Sequence, residues 1–120
     1  GIAYNDGKLW LANYITSNIF QIDATDGKSY QSRLQYPSDD IDVNYGVIMS
    51  AGTDFNLDGY TDLLISAYYS NIDGENQGTV FMYNGNAQGI LGGSDQKQYD
   101  YRLSYPESDQ AAVFGRFISW

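Results

Sequence analysis

Three observations predict an all-β fold of short antiparallel strands. The chain of 120 residues holds 12 tyrosines, 13 glycines and only 2 prolines. Aromatic residues suit a pleated, half-buried surface, and glycine supplies tight turns. Turn-forming pairs punctuate the chain at Asp26-Gly27, Asp58-Gly59, Asp73-Gly74, Asn84-Gly85 and Gly92-Gly93, dipeptides that favour hairpin turns. The third observation is an internal repeat. Between the turns, apolar and aromatic runs predict strands at 9–14, 18–23, 30–35, 45–51, 62–69, 78–84, 99–104 and 114–120. No stretch shows the 3.6-residue periodicity of an amphipathic helix.

The repeat aligns Tyr30-Gln-Ser-Arg-Leu-Gln-Tyr-Pro37 with Tyr99-Asp-Tyr-Arg-Leu-Ser-Tyr-Pro106, an offset of 69 residues (99 − 30) that persists without a gap. Asp40 falls on Asp109, Tyr45-Gly46 on Phe114-Gly115, and Ser50 on Ser119. A second echo links Leu9-Trp-Leu-Ala-Asn-Tyr14 to Leu63-Leu-Ile-Ser-Ala-Tyr68, and Asn18-Ile-Phe-Gln-Ile-Asp23 to Thr79-Val-Phe-Met-Tyr-Asn84. Four short strands per period fit one blade of a β-propeller, a small sheet that buries its faces against neighbouring blades. The predicted organisation is the C-terminal part of a metal-free blade at 1–35, a complete blade at 36–104, and the first strand of the next at 105–120. That amounts to one and a half to two four-stranded blades. Such a set cannot close a ring, so a fragment of a larger propeller protein is expected, with Trp10, Tyr36, Phe81 and Phe117 on strands whose neighbours lie partly outside the sequence. The Tyr45-Gly46 and Phe114-Gly115 pairs are expected to begin the innermost strands of consecutive blades.

Composition removes several function classes. The formal charge of −9 opposes nucleic-acid binding, which needs a basic face. With no cysteine and no histidine, these residues supply no disulfide, zinc-thiolate site, thiol nucleophile or Ser-His-Asp triad. No apolar run approaches the roughly 20 residues of a membrane helix, so no direct membrane insertion of this segment is expected.

One motif carries chemistry. Residues 54–62 read Asp-Phe-Asn-Leu-Asp-Gly-Tyr-Thr-Asp, which places oxygen-bearing side chains at positions 1, 3, 5 and 9 and the Tyr60 carbonyl at position 7. Calcium takes six to eight hard oxygen ligands in flexible geometry. Alternate residues of a curled loop can all turn inward, and Gly59 permits the sharp bend. Asp54, Asn56, Asp58, Tyr60 and Asp62 are therefore the candidate ligands of a Ca2+ ion. An EF-hand would need a glutamate at position 12, where Ile65 stands in a β-like run. The competing reading is a metal-free turn rich in Asp, Asn and Gly.

Taken in order, Tyr45-Gly46-Val-Ile-Met-Ser50, the 54–62 loop, Leu63-Leu-Ile-Ser-Ala67, Gly78-Thr-Val-Phe-Met-Tyr83 and Phe114-Gly115 resemble the FG-GAP repeat of integrin α-subunit propellers. The resemblance covers about residues 36–120. It implies a seven-bladed propeller or a near relative, with calcium loops between the first and second strands of several blades. Ser66-Ala67-Tyr68 stands where that family often has Gly-Ala-Pro, and residues 1–32 carry no such loop.

Antiparallel order would place the loop and residues 84–98 at one end of the blade. The opposite end would gather 36–44, 69–77 and 105–113. There Asp39, Asp40, Asp42, Tyr69, Asp73, Glu75, Glu107 and Asp109, with Tyr36 and Tyr105, form a candidate ligand face for a basic protein patch or a glycan, loops on a rigid scaffold being the usual seat of binding. A solvated acidic rim is the plain alternative. The expected function is a calcium-stabilised extracellular or cell-surface module for protein binding, adhesion or assembly. Alternatives are a carbohydrate-binding propeller and the propeller of a secreted polysaccharide-active enzyme. Asp39 with Asp40, or Asp73 with Glu75, would be the only carboxylate pairs for catalysis, and neither is given a catalytic role.

Overall fold

The computed structural model describes residues 1–5, 7–13, 15–23, 25–39, 43–72, 75–87, 90, 99–107, 113–116 and 118. Eight strands form two four-stranded antiparallel sheets, each in chain order. The first contains β1 (Ile2–Asn5), β2 (Lys8–Asn13), β3 (Asn18–Ile22) and β4 (Tyr30–Gln35). The second contains β5 (Met49–Thr53), β6 (Asp62–Ala67), β7 (Thr79–Tyr83) and β8 (Tyr101–Ser104). No described residue lies in an α-helix.

The two sheets repeat each other strand by strand. Leu9 pairs Ile22 and Ala12 pairs Ile19 in the first, as Leu63 pairs Tyr83 and Ser66 pairs Val80 in the second. Likewise Ile19 faces Leu34 and Phe20 faces Arg33, as Val80 faces Leu103 and Phe81 faces Arg102. Identical registers fix identical inside–outside patterns, because a slip of one residue would exchange the faces.

Between the sheets lies the main core. Ala3, Trp10, Ile19 and Leu34 of the first sheet meet Leu63, Ile65, Ala67, Phe81 and Tyr83 of the second, with Tyr36, Val43 and Tyr45 from the connection. Trp10 alone buries about 150–250 Å²; at about 25 cal/mol per Å² that contributes roughly 4–6 kcal/mol before entropy. The β3 strand alternates between half-buried and buried, whereas β6 and β7 are buried throughout. The second sheet is covered on both faces: Leu64, Val80 and Met82 lie under Phe114 and Ile118 on the side away from the first sheet.

Several expectations need correction. The sequence reading places no strand before residue 9, yet Ile2–Asn5 pairs β2 and completes a four-stranded first sheet. The strand expected at 45–51 begins at Met49, and Tyr45-Gly46 forms a turn ahead of it. Phe114-Gly115 is also a turn, and Phe117, Ser119 and Trp120, expected in a strand, lie outside the described residues. Backbone angles explain the turns: Asn44 and Gly46 have φ of 56° and 82°, and their repeat mates Val113 and Gly115 have 55° and 85°. Such left-handed positions cannot extend a pleated strand. Trp10, Tyr36 and Phe81, expected to need neighbours outside the sequence, are at most 4% exposed.

The first turn works as a seam. Gly46 donates its N–H to the Ser66 carbonyl of the second sheet at 2.9 Å. Its bare Cα lies so close to the first sheet that a Cβ would stand 2.7 Å from the Ala12 Cβ and 2.8 Å from the Ile19 Cδ1. Beside it Tyr45 packs edge-on against Phe81, centroids 6.0 Å apart, and shares a 2.6 Å hydroxyl hydrogen bond with Tyr83.

Burial pushes both phenols well above their ordinary pKa, and for Tyr45 the adjacent Tyr83 adds to the effect. Each is protonated in the folded chain at a pH where the unfolded chain has released its proton. Their contribution to stability is complete below about pH 10 and is lost above it, by ~1.4 kcal/mol per pH unit per phenol. Urea midpoints measured from pH 8 upward should fall beyond pH 10, and less steeply in Tyr45→Phe.

Candidate functional site

The 54–62 loop leaves the second sheet where β5 twists out of register between Ala51 and Thr53, a bulge at Gly52, whose φ is 105°. In the first sheet the same junction is a two-residue turn from Asn5 to Lys8. Lys8 there takes the register position of Asp62 here, since each starts the strand that follows.

Within the loop the side chains alternate. Phe55 and Leu57 point to solvent at 59% and 86% exposure, while the oxygen-bearing residues between them turn onto backbone donors. Asp54 accepts from the N–H of Asp58 at 3.0 Å through Oδ1 and from Gly59 at 2.8 Å through Oδ2. Asn56 Oδ1 accepts from Asp58 N–H at 3.2 Å, and Asp58 Oδ1 from Tyr60 N–H at 2.9 Å. Asn56 Nδ2 donates to Asp58 Oδ2 at 2.9 Å. These Asx-type bonds wind the chain tightly, helped by positive φ at Leu57 (61°) and Gly59 (93°).

Asp62 holds the base of the loop. It is fully buried, and its two carboxylate oxygens accept from Phe55 N–H at 2.7 Å and Gly85 N–H at 2.9 Å. The second bond ties the loop to the chain that follows β7. Asn84 there donates its backbone N–H to Asp100 at 2.7 Å, ahead of β8. Sequence reasoning missed Gly85 and Asp100 as loop supports, since neither belongs to the motif. The glycine's fit against the Thr61 carbonyl, where a Cβ would clash, was signalled only by the turn pair Asn84-Gly85.

The donor chemistry suits a hard divalent cation: carboxylates of Asp54, Asp58 and Asp62, the Asn56 amide oxygen and the Tyr60 carbonyl. In this conformation the carboxylates face N–H groups. No three acidic side chains among the described residues converge closely enough to hold an ion.

At the opposite end, Tyr69 N–H donates to the Val43 carbonyl, and Val113 and Phe114 donate to Asn76 and Gln77. The three connecting segments therefore meet as antiparallel order requires. Asp39, Glu75 and Glu107 are exposed there, and Tyr69 is 39% exposed. Glu107 accepts from the Tyr105 hydroxyl at 3.3 Å. Tyr36 is no part of this surface: it is buried, with its hydroxyl 2.7 Å from Ser70 Oγ. Asp40, Asp42, Asp73 and Asp109 lie outside the described residues.

With this geometry in hand, comparison with known families gives one match. The profile of the FG-GAP repeat covers residues 45–83, from the Tyr45-Gly46 turn to the end of β7. Residues 45–83 are an FG-GAP repeat. The FG-GAP repeat thus spans the seam turn, β5, the loop, β6 and β7, and its four-stranded antiparallel sheet fits a propeller blade. No curated protein matches the chain. No helix of the described residues is long and apolar enough to cross a membrane.

Proposed function

We propose that this FG-GAP repeat is a calcium-stabilised module of an extracellular or cell-surface protein, and that its loops at the end opposite residues 54–62 bind a protein partner in adhesion or assembly. The observation that carries the reading is the wound Asp54–Asp62 loop, whose oxygen donors alternate with exposed Phe55 and Leu57 and whose base is clamped by buried Asp62. Asp54, Asn56, Asp58, Asp62 and the Tyr60 carbonyl would hold the ion. When bound, it supplies positive charge that offsets three carboxylates and cross-links the loop. Asp62 fixes the loop's entry to its exit at Phe55, and Gly59 keeps the bend that brings Asp58 back toward Asp54. The role is structural, and the partner is met by the acidic end that carries Asp39, Glu75 and Glu107. A basic patch on the partner protein complements that charge.

A ligand that binds only the folded state stabilises it by mass action. Millimolar calcium should therefore raise the melting temperature over that in chelator. Asp58→Ala, at an exposed position, should abolish most of the rise and change the chelator value little. An unchanged melting temperature on calcium titration would sink the metal reading.

Glycan binding is a second reading. Tyr69 is partly exposed and its ring rests against Tyr68 with centroids 4.9 Å apart, the kind of supported aromatic face on which a sugar stacks. Loss of glycan retention in Tyr69→Ala, with protein binding intact, would favour it.

A further inference from the structure

We infer that this chain associates head to tail with further copies of itself, the outer face of the first sheet docking on the outer face of the second sheet of the next copy. The observation is the register identity of the two sheets. Trp10, Ile19 and Leu34, which the second sheet covers, correspond by pairing to Leu64, Val80 and Leu103 on the outside of the second sheet. Leu34 is fully buried, but Leu103 is 42% exposed and its neighbour Tyr101 51%. The second sheet therefore presents again the surface that the first sheet buries.

The covering surface is also present twice. Leu63, Ile65, Phe81 and Tyr83, which cover the first sheet, correspond to Leu9, Leu11, Phe20 and Ile22 on the outside of the first sheet. All four are apolar and only half-buried. The seam repeats as well. Gly115 lies against Ser66 and Val80, the mates of Ala12 and Ile19 beneath Gly46. Phe114 occupies the place of Tyr45, whose ring meets Phe81 within the chain; Phe20 of the next copy is the ring that would meet Phe114. The new contact continues the interface already formed inside each chain. It joins two different faces, so it is heterologous and propagates into a ring or a filament. The −9 charge of each chain opposes approach, but at about 0.15 M salt screening acts over roughly 8 Å.

The test is sedimentation equilibrium of the full 120-residue chain in calcium and physiological salt, from micromolar to millimolar concentration. The weight-average mass should rise with concentration. Phe20→Asp and Leu103→Asp, one on each face, should each be monomeric, because every copy then lacks one half of every contact. Mixed in equal amounts they retain one intact pair of faces and should give a dimer that grows no further. Tyr4→Asp and Tyr101→Asp, at 69% and 51% exposed positions on the same two faces, replace any variant whose circular dichroism departs from that of the parent chain. A parent chain that stays monomeric throughout, as expected if another protein or another sheet covers these faces, overturns the inference. So do single variants that still associate, or a mixture that remains monomeric.

Discussion

Asp62→Ala is expected to destabilise the chain by roughly 2–5 kcal/mol even in chelator, because two buried N–H groups lose their acceptor and each such loss costs about 1–3 kcal/mol. The donors are Phe55 and Gly85, one at each side of the loop's base. Ion binding is a separate matter, and the chelator measurement removes it. Asp58→Ala is the control: its side chain is exposed, and its partner Tyr60 N–H is open to water. Urea midpoints for both variants with and without calcium separate the two roles. If Asp62→Ala lowers the midpoint only when calcium is present, the clamp described here carries no weight of its own.

Gly46→Ala should lower stability by about 2–4 kcal/mol. A side chain at φ 82° costs about 1–2 kcal/mol, and overpacking a filled site adds about 1–3 kcal/mol. The obstacles are the Ala12 Cβ and the Ile19 side chain, both in the first sheet, while the Gly46 N–H is held by the second. Relief is not available by moving one sheet alone. In an Ala12→Gly background one obstacle is gone, so the same substitution should cost at least ~1 kcal/mol less, a coupling that a double-mutant cycle reads directly. Equal costs in the two backgrounds would mean that the strain is purely in the backbone.

These residues also show what the sequence could and could not reveal. The 69-residue offset is legible because Arg33-Leu34 and Arg102-Leu103 hold the same ladder positions in β4 and β8. The curl of the loop is legible because Asp, Asn and Gly at alternate positions bond to their own backbone. Strand β1 was missed because Ile2 and Tyr4 face outward and only Ala3 is buried, so the segment carries little apolar signal until β2 lies beside it. The start of β5 was misplaced because Tyr45, Val47 and Ile48 have strand propensity, while the φ values of Asn44 and Gly46 decide the turn. Tertiary contact overrode local preference there. At the loop, the motif names the donors but not their present partners. Gly85, which binds Asp62, stands 23 residues away, beyond the reach of any local pattern.

Strand order follows chain order in both sheets, and this has a kinetic consequence. Every strand pairs with the one just before or after it, so each ladder can zip from a hairpin whose closure costs little entropy. Topologies rich in such local contacts fold faster than those that must first join distant segments. Assembly of each sheet is therefore the quick part of the process. The slower part is the meeting of Ala12, Gly46 and Ser66, which come from the first sheet, the connection and the second sheet and must find one another before the aromatic core can close.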